Sequence, residues 1–503
     1  MIFRRRFWTV SIGLPSFVLA GCATTNTVPV LKRETAKSSI AATSQPKPVA
    51  DAGIRQVAAE EKVEGSSIGG VRPAYGQLET LPIDLPTVIR MVDQNSPAIG
   101  IAQARIREAQ ARLASANAQW LPNLSVGFAY NRFDGQTQNQ RGDVFGVSRA
   151  NLFGGGGAAL NFDVAEAIYA PLIAKRLSNA AQFHSVAVLQ STELEAVTAY
   201  LDLVQVHAQL AINADTLTRA EAMLTAAQNA REAKLDRTAG DVNRAQTEVL
   251  FRRVERIELE GRVGVFSARL GKLLLLAPTV RLVPVEVTIV PVSLIDPAAT
   301  IDQLISIAIV NRPDLATNRE LVAAAWERVR KQERAVLLPK LTIANQTGGY
   351  GGGVNDDLQD FGSRNALSVQ LYWEVKNLGF GNRADVAEKR ATRDQASLQL
   401  VEEQARAVAE IVEAAQIAAA RYESLDLAER AVKEATELYR INKEGTLNVI
   451  DAKNLFDALR PLQSIQALNQ ARQNYLSAVV DFNRAQYRLF TFIGNPPNAV
   501  PVP

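Results

Sequence analysis

The sequence is poor in the residues from which most active sites are built. Its 503 residues include one cysteine, two histidines (His184 and His207) and three methionines. A single cysteine excludes structural disulfides and thiolate zinc sites. Two histidines leave little for transition-metal chemistry. Charge of one sign is also missing: 55 Lys and Arg stand against 52 Asp and Glu, and Arg4, Arg5 and Arg6 supply the whole excess. Without those three the chain is neutral and lacks the electrostatic footprint that nucleic acid demands. No nucleophile elbow, paired-carboxylate cleft or metal triad is visible. The chain is expected to be no enzyme and to need no cofactor and no metal. Glycine (30) and proline (21) are scarce too, in a chain rich in Ala, Gln, Glu, Arg and Leu, which favours long helices.

What is present begins at the N-terminus. Arg4–Arg6 precede an uncharged apolar stretch, Phe7 to Ala20, and then the lone Cys22. As a helix, that stretch covers only about 21 Å, short of a hydrocarbon core of about 30 Å. Residues 1–21 are therefore expected to be an export signal, not a stable span. Leu19-Ala20-Gly21-Cys22 resembles the lipobox of bacterial lipoproteins. That resemblance implies cleavage before Cys22, lipid attachment to its sulfur and acylation of its amine. Ala23, in place of Asp, is similar to the outer-membrane-sorted pattern. Residues 22–80, interrupted by Pro46, Pro48 and Pro73, show no helix or strand periodicity. They are expected to form an acylated flexible segment.

The body carries an internal repeat. Asn95-Ser96-Pro97 opens an amphipathic stretch that runs to Trp120-Leu121-Pro122-Asn123-Leu124. Asn311-Arg312-Pro313 opens another, which runs to Leu337-Leu338-Pro339-Lys340-Leu341. Proline is free of penalty in a first turn and stops a helix elsewhere. The two copies are offset by 216 at the first proline and by 207 at Ala159/Ala366, Arg176/Arg383 and Asp241/Asn448. The expected repeats are residues 81–290 and 291–503.

Each copy holds two alternating segments. Val126, Phe128 and Tyr130 alternate with Ser125, Gly127, Ala129 and Asn131, while Leu160, Phe162 and Val164 alternate with Asn161 and Asp163. In the second copy Leu367, Val369, Leu371, Trp373 and Val375 alternate with Ser368, Gln370, Tyr372 and Glu374. Runs of about ten such residues match tilted transmembrane strands. Between them Asp134 to Gly157 and Gly348 to Ser363 are expected to be polar, Gly-rich turns. Neither carries the Gly-Lys-Ser/Thr ending of a phosphate loop.

Long helices follow. No Gly or Pro occurs for 68 positions after Pro171 or for 63 positions after Gly381. Such helices reach about 95–100 Å. Leu398, Val401, Ala405, Val408, Val412, Ala415, Ala419 and Tyr422 form a 3-4-3-4 seam, as do Leu194, Val197, Leu201, Val204, Ala208 and Ala211. Return helices are expected over roughly Val242–Leu276 and Leu447–Phe492, the second with Pro461 near its middle. The expected fold is mostly α with a membrane β part, a duplicated strand–strand–long helix–helix unit.

Four strands cannot close a barrel, and an open edge in lipid leaves backbone groups unsatisfied. If the strands span a membrane, several copies must close them together. Three copies supply twelve strands over twelve long helices. At this point the chain resembles the TolC family of outer-membrane efflux proteins. The resemblance rests on the Leu-Pro-x-Leu strand starts at Leu121 and Leu338, on the duplication, and on the hairpin ends Asp241-Val242-Asn243-Arg244-Ala245-Gln246 and Asn448-Val449-Ile450-Asp451-Ala452. It implies a homotrimer, a 12-stranded β-barrel on a long α-helical periplasmic barrel, with a periplasmic adaptor and an inner-membrane transporter as partners. It further implies an outer-membrane channel of a tripartite efflux or type I secretion system, a passive conduit to the exterior. By the same resemblance the hairpin ends meet the adaptor. The matching positions are Asp236, Asp241, Asn442, Lys443, Glu444, Gly445 and Asn448, with Asn442 standing where relatives often carry Gly. The alternative is a lipid-anchored periplasmic coiled-coil scaffold without a pore. It leaves the four alternating segments unexplained.

Overall fold

The computed structural model describes residues 79–232, 238–277, 279–286, 289–355, 357–447 and 459–495. The signal reading, Cys22, Asp236 and Asn448 lie outside these residues, as does the expected flexible segment up to residue 78; its last two residues, Glu79 and Thr80, are instead strand, held by pairing with Val280 and Arg281. The first elements are β1 (Glu79–Ile83), α1 (Leu85–Asn95), α2 (Pro97–Ala118), β2 (Asn123–Gln138), β3 (Val144–Asp163), α3 (Val164–Glu232) and α4 (Thr238–Leu273). Then come β4 (Val280–Pro284), α5 (Ile301–Asn311), α6 (Pro313–Ala335), β5 (Lys340–Val354), β6 (Gln359–Tyr372), α7 (Phe380–Leu447) and α8 (Leu459–Phe492). The chain is mostly helical, and no described helix is long and apolar enough to cross a membrane.

Local chemistry sets the boundaries. Asp84 caps α1 by accepting the Thr87 N–H at 3.1 Å. Pro97 and Pro313 open α2 and α6 at the position where a missing N–H is harmless. At α5, Thr300 and Gln303 close a reciprocal capping box. Helix α3 starts earlier than the proline-free stretch. The Asp163 carboxylate accepts the Glu166 N–H at 3.1 Å, so β3 passes straight into helix and Pro171 falls inside α3. With 69 and 68 residues, α3 and α7 are each about 100 Å long. Pro461 occupies the first turn of the described α8, while residues 448–458 lie outside the described part.

Helix α3 is the spine and packs against α1, α2, α4, α6 and α8. Midway along the helices lies a belt. Strands β1 and β4 pair in parallel, and Ile83, Val88, Val92 and Leu282 bury against Leu203 of α3, Leu270 of α4 and Leu274 just past it. Helix α5 makes the matching contact with α7 and α8 through Leu304, Ala308, Ile411 and Leu489. Each such large side chain contributes about 1.5–3 kcal/mol on burial.

The other sheet is an antiparallel meander, β2-β3-β5-β6. Here two expectations fail. The strands have 16, 20, 15 and 14 residues instead of about ten, and the Gly-rich segments are strand. The reversals shrink to the segments between β2 and β3 and between β5 and β6, and Gly154–Gly157 run beside Gln346–Gly349 in the β3–β5 ladder. The physical reason is close approach. A Cβ at Gly155 would collide with the Thr347 carbonyl oxygen, and one at Gly348 with that of Gly154. At the far end β6 stops at Tyr372, so Trp373 and Val375 lie past the strand.

The seams also differ between the long helices. On α3, Val197, Leu201 and Val204 are buried as the spacing predicts. On α7 the buried stripe is Ala407, Ile411, Ala414 and Ala418. The expected stripe lies one position along, and its two ends, Leu398 and Tyr422, are exposed. Both stripes have heptad spacing, and the chain's own partners, α5, α6 and α8, cover only one of them.

Candidate functional site

The functional surfaces are those the chain leaves uncovered. On β2 every second residue, Leu124, Val126, Phe128 and Tyr130, points an apolar side chain outward, with Val126 90% and Phe128 86% exposed. On β6, Leu367, Val369 and Leu371 repeat the pattern. These two strands are also the ends of the sheet, each paired on one side only among the described residues. A long apolar sheet with two bare edges is unstable in water and, if left open, in lipid. It is satisfied where lipid covers the face and another copy covers each edge.

A second uncovered surface runs along the helices. Leu250, Val254 and Ile257 of α4 follow one another at four and three residues and are exposed, Ile257 at 63%. On α7, Leu427, Leu438 and Ile441 are exposed at the same height, where Leu468 and Ala471 of α8 pack on Ala435; Leu398, 69% exposed, and Val401 lie farther along, beside α6. Contacts link α4 to α3, α3 to α8, and α8 to α7. Helices α4 and α7 are thus the two outer members of a four-helix layer, and each carries an apolar stripe. Sequence spacing found Leu398 and Val401 but missed the lower α7 positions and the α4 stripe, which Gly261 and Gly264 interrupt.

The ends of the hairpins are polar. Asp241 sits in the first turn of α4, nearly buried, and receives the Arg244 guanidinium at 3.1 Å. A carboxylate there also complements the helix dipole. On the other hairpin Asn442, Lys443, Glu444 and Gly445 are still helical, because α7 continues to Leu447. The expected turn over 442–448 therefore starts later. Arg440 grips Glu437 and Glu444, one turn to either side, and so holds this segment in the helix. Lys443 and Glu444 are exposed and Asn442 is half-buried. The pairs of Asp241 and Glu444 are both intrahelical and do not tie the two hairpins together.

No family model and no curated relative matches the chain. Solved structures do. The outer-membrane channel OprN superposes with a TM-score of 0.68 at 19% identity, covering 82% of this chain and 90% of its own. The outer membrane protein VceC of Vibrio cholerae gives 0.65 at 18%, covering 82% and 96%. The CmeC outer membrane channel of Campylobacter jejuni gives 0.66 at 15%, covering 82% and 85%. This is the TolC-family fold.

Within the TolC-family fold, the interior of this chain is braced by charge clusters that the sequence reading overlooked. Asp215 of α3 accepts from Arg219 at 2.9 Å and from Arg472 of α8. Burial would raise the Asp215 pKa, but the two guanidiniums outweigh it and hold the carboxyl below its ordinary value. Arg252 joins Glu248 and Glu255 at 2.8 and 2.6 Å, and Asn213 donates to Glu255 at 2.9 Å. At the α5–α6 junction the nearly buried Arg312 meets Asp314 at 2.5 Å and Glu410 of α7 at 2.8 Å. Burial works to raise the Asp314 pKa, and the Arg312 guanidinium reverses this and keeps it low. The i,i+3 and i,i+4 spacings of Asp215–Arg219 and Glu248–Arg252–Glu255 were legible; their partners on α8 were not.

Neither histidine forms part of a site. His184 lies 3.4 Å from Arg105, and His207 is half-buried on α3, where desolvation and then the charge of Arg281 lower its pKa. Among the described residues no group of three His, Cys, Asp or Glu could hold a metal ion.

Proposed function

We propose that three copies of this chain close into a tube that serves as the outer-membrane channel of a tripartite efflux or type I secretion system. The observation that carries this is the double incompleteness of one copy. The sheet has two bare edges around an apolar face, and the helix layer has an apolar stripe at each side. One rotation about a common axis satisfies both. It pairs β6 of one copy with β2 of the next and seats α7 of one against α4 of the next. Twelve strands then form a barrel in lipid, and the helices form a tunnel about 100 Å long.

The element order supports a two-copy reading, with the copies opening at β1 (Glu79–Ile83) and β4 (Val280–Pro284), ahead of the expected starts at 81 and 291. Strand, two helices, two strands and two helices occur twice in succession. Cys22 is proposed as the lipid-modified residue that anchors the protein to the outer membrane, with residues 1–21 removed. The hairpin ends around Asp241 and Lys443–Gly445 are proposed to meet a periplasmic adaptor protein, which links the tunnel to an inner-membrane transporter. The tube acts as a passive conduit.

Conductance across planar bilayers tests this directly. Detergent-extracted protein is expected to give stepwise conductance of uniform size. Its absence under all voltages would favour a lipid-anchored coiled-coil scaffold without a pore.

A further inference from the structure

A cavity of about 720 Å³ lies midway along the helices and is walled by α3, α4, α7 and α8 together. Its position relative to the belt can be read from helix phase. On α3, Glu195, Thr198 and Asp202 line the cavity, whereas Val197, Tyr200 and Val204 pack against the belt side. On α8, Arg484 and Arg488 line it, whereas Asn483 and Gln486 bond the backbone of residues 290–295. At about 100° per residue these are opposite faces. The cavity therefore occupies the bare face of the four-helix layer. A hollow bounded by all four helices marks the layer's concave side, which becomes the lumen when copies close into a ring.

The charge in the cavity is lopsided. Arg269, Lys272, Arg421, Arg484 and Arg488 face three carboxylates, Glu195, Asp202 and Asp481. Two of those carboxylates are already shared. Asp202 is held by Arg484 and Arg269, and Asp481 by Arg484 at 2.9 Å and Arg421 at 3.5 Å. Among the described residues no ion-pair partner falls to Lys272 or Arg488, and the buried Nε of Arg484 has no hydrogen-bond partner. Leu273 and Ile417 supply apolar wall beside these cations. The volume is in the range that takes a drug-sized molecule.

We infer that this cavity is a lumenal binding site for amphipathic organic anions, whose acidic group pairs with Lys272 and Arg488 while the hydrocarbon part lies on Leu273 and Ile417. The inference rests on the tubular assembly proposed above and names a cargo class for it. In the closed tube the site is repeated three times, forming a cationic ring at mid-height that cargo must pass. Low dielectric walls strengthen such a ring relative to the same charges in bulk water.

The test uses assembled protein in a neutral phosphatidylcholine bilayer, with anilinonaphthalene sulfonate as the probe. Wild-type conductance is expected to be blocked by the probe and not by a naphthalene of the same size carrying a trimethylammonium group. The double variant Lys272→Gln, Arg488→Gln changes two exposed side chains, of which Arg488 also lies over the Phe492 ring at 5.2 Å. It is expected to need about ten times more probe for the same block, a loss of about 1.4 kcal/mol. Equal block of wild type and variant would overturn the site, and so would stronger block by the cation. If no conductance appears at all, the tube has failed; equilibrium dialysis of the probe against both proteins in detergent then decides the site separately. Binding lost in the variant supports it, and binding unchanged overturns it.

Discussion

The ring of Phe128 lies over Gly154, the residue it faces across the β2–β3 ladder; a Cβ there would stand 2.8 Å from two ring carbons. The second hairpin repeats the device, with the Phe361 ring over Gly351. Aromatic rings covering strand glycines restore packing that glycine alone cannot give. The innermost glycines, on β3 and β5, allow the two hairpins to approach backbone to backbone. Gly155→Ala and Gly348→Ala are expected to reduce heat-resistant oligomer on semi-native gels strongly, because the new methyl meets a carbonyl oxygen. Gly127→Ala, where a Cβ meets nothing within 4 Å, should leave it unchanged. Equal loss from all three would contradict the packing described.

Charge placed on the uncovered helix stripes should separate copies without unfolding them. Ile257→Glu on α4 and Leu398→Glu on α7 are expected to shift the protein to monomer by light scattering in detergent, with helical circular dichroism intact. Ile411→Ala, on the buried stripe of α7, is expected to act oppositely. It should lower stability by about 2–5 kcal/mol, as a cavity does, before it alters assembly.

Acid should weaken the helical layer in two stages. His207 has a lowered pKa in the folded chain, so the unfolded chain takes the proton first as pH falls. Stability is lost from about pH 6.5 downward. Asp215 and Asp314 also have lowered pKa values, so their contribution is full above the ordinary carboxylate range of about 3.9. It is lost as pH falls through that value towards the folded ones. Thermal melts from pH 8 to 3 are expected to show both limbs. His207→Gln should flatten the first and Asp314→Asn the second; limbs unchanged by these substitutions would refute the assignment.

Intact-protein mass spectrometry checks the anchor. Membrane-extracted protein is expected to begin at Cys22 and to carry diacylglyceryl and acyl mass, and Cys22→Ser should carry neither. A chain retaining residues 1–21, or an unmodified Cys22, would remove the lipid anchor from the account.

Much of the fold was legible because it rests on punctuation. Pro97, Pro122, Pro313 and Pro339 mark helix starts and stops, and the proline-free stretches foretold α3 and α7 almost to their lengths. Glycine was misread. In water-soluble strands it weakens pairing, so Gly154–Gly157 looked like a turn; here it permits the close β3–β5 contact. On α7 the spacing singled out one of two adjacent apolar stripes, and spacing alone does not say which one a neighbour within the chain will cover. The cavity was invisible for another reason. Asp202, Lys272, Arg421 and Arg488 are tens to hundreds of residues apart, and only the stacking of four helices brings them together. At the hairpin ends, Asp241 and Glu444 were singled out from the sequence, but not the partners Arg244 and Arg440 that hold them.

Closure of three copies into one hollow tube is the central claim, and negative-stain electron microscopy of the detergent-extracted protein tests it most directly. Side views are expected to show a rod longer than about 100 Å, and end views a threefold ring with a stain-filled centre. Solid rods of one or two copies, without a central cavity, would contradict it.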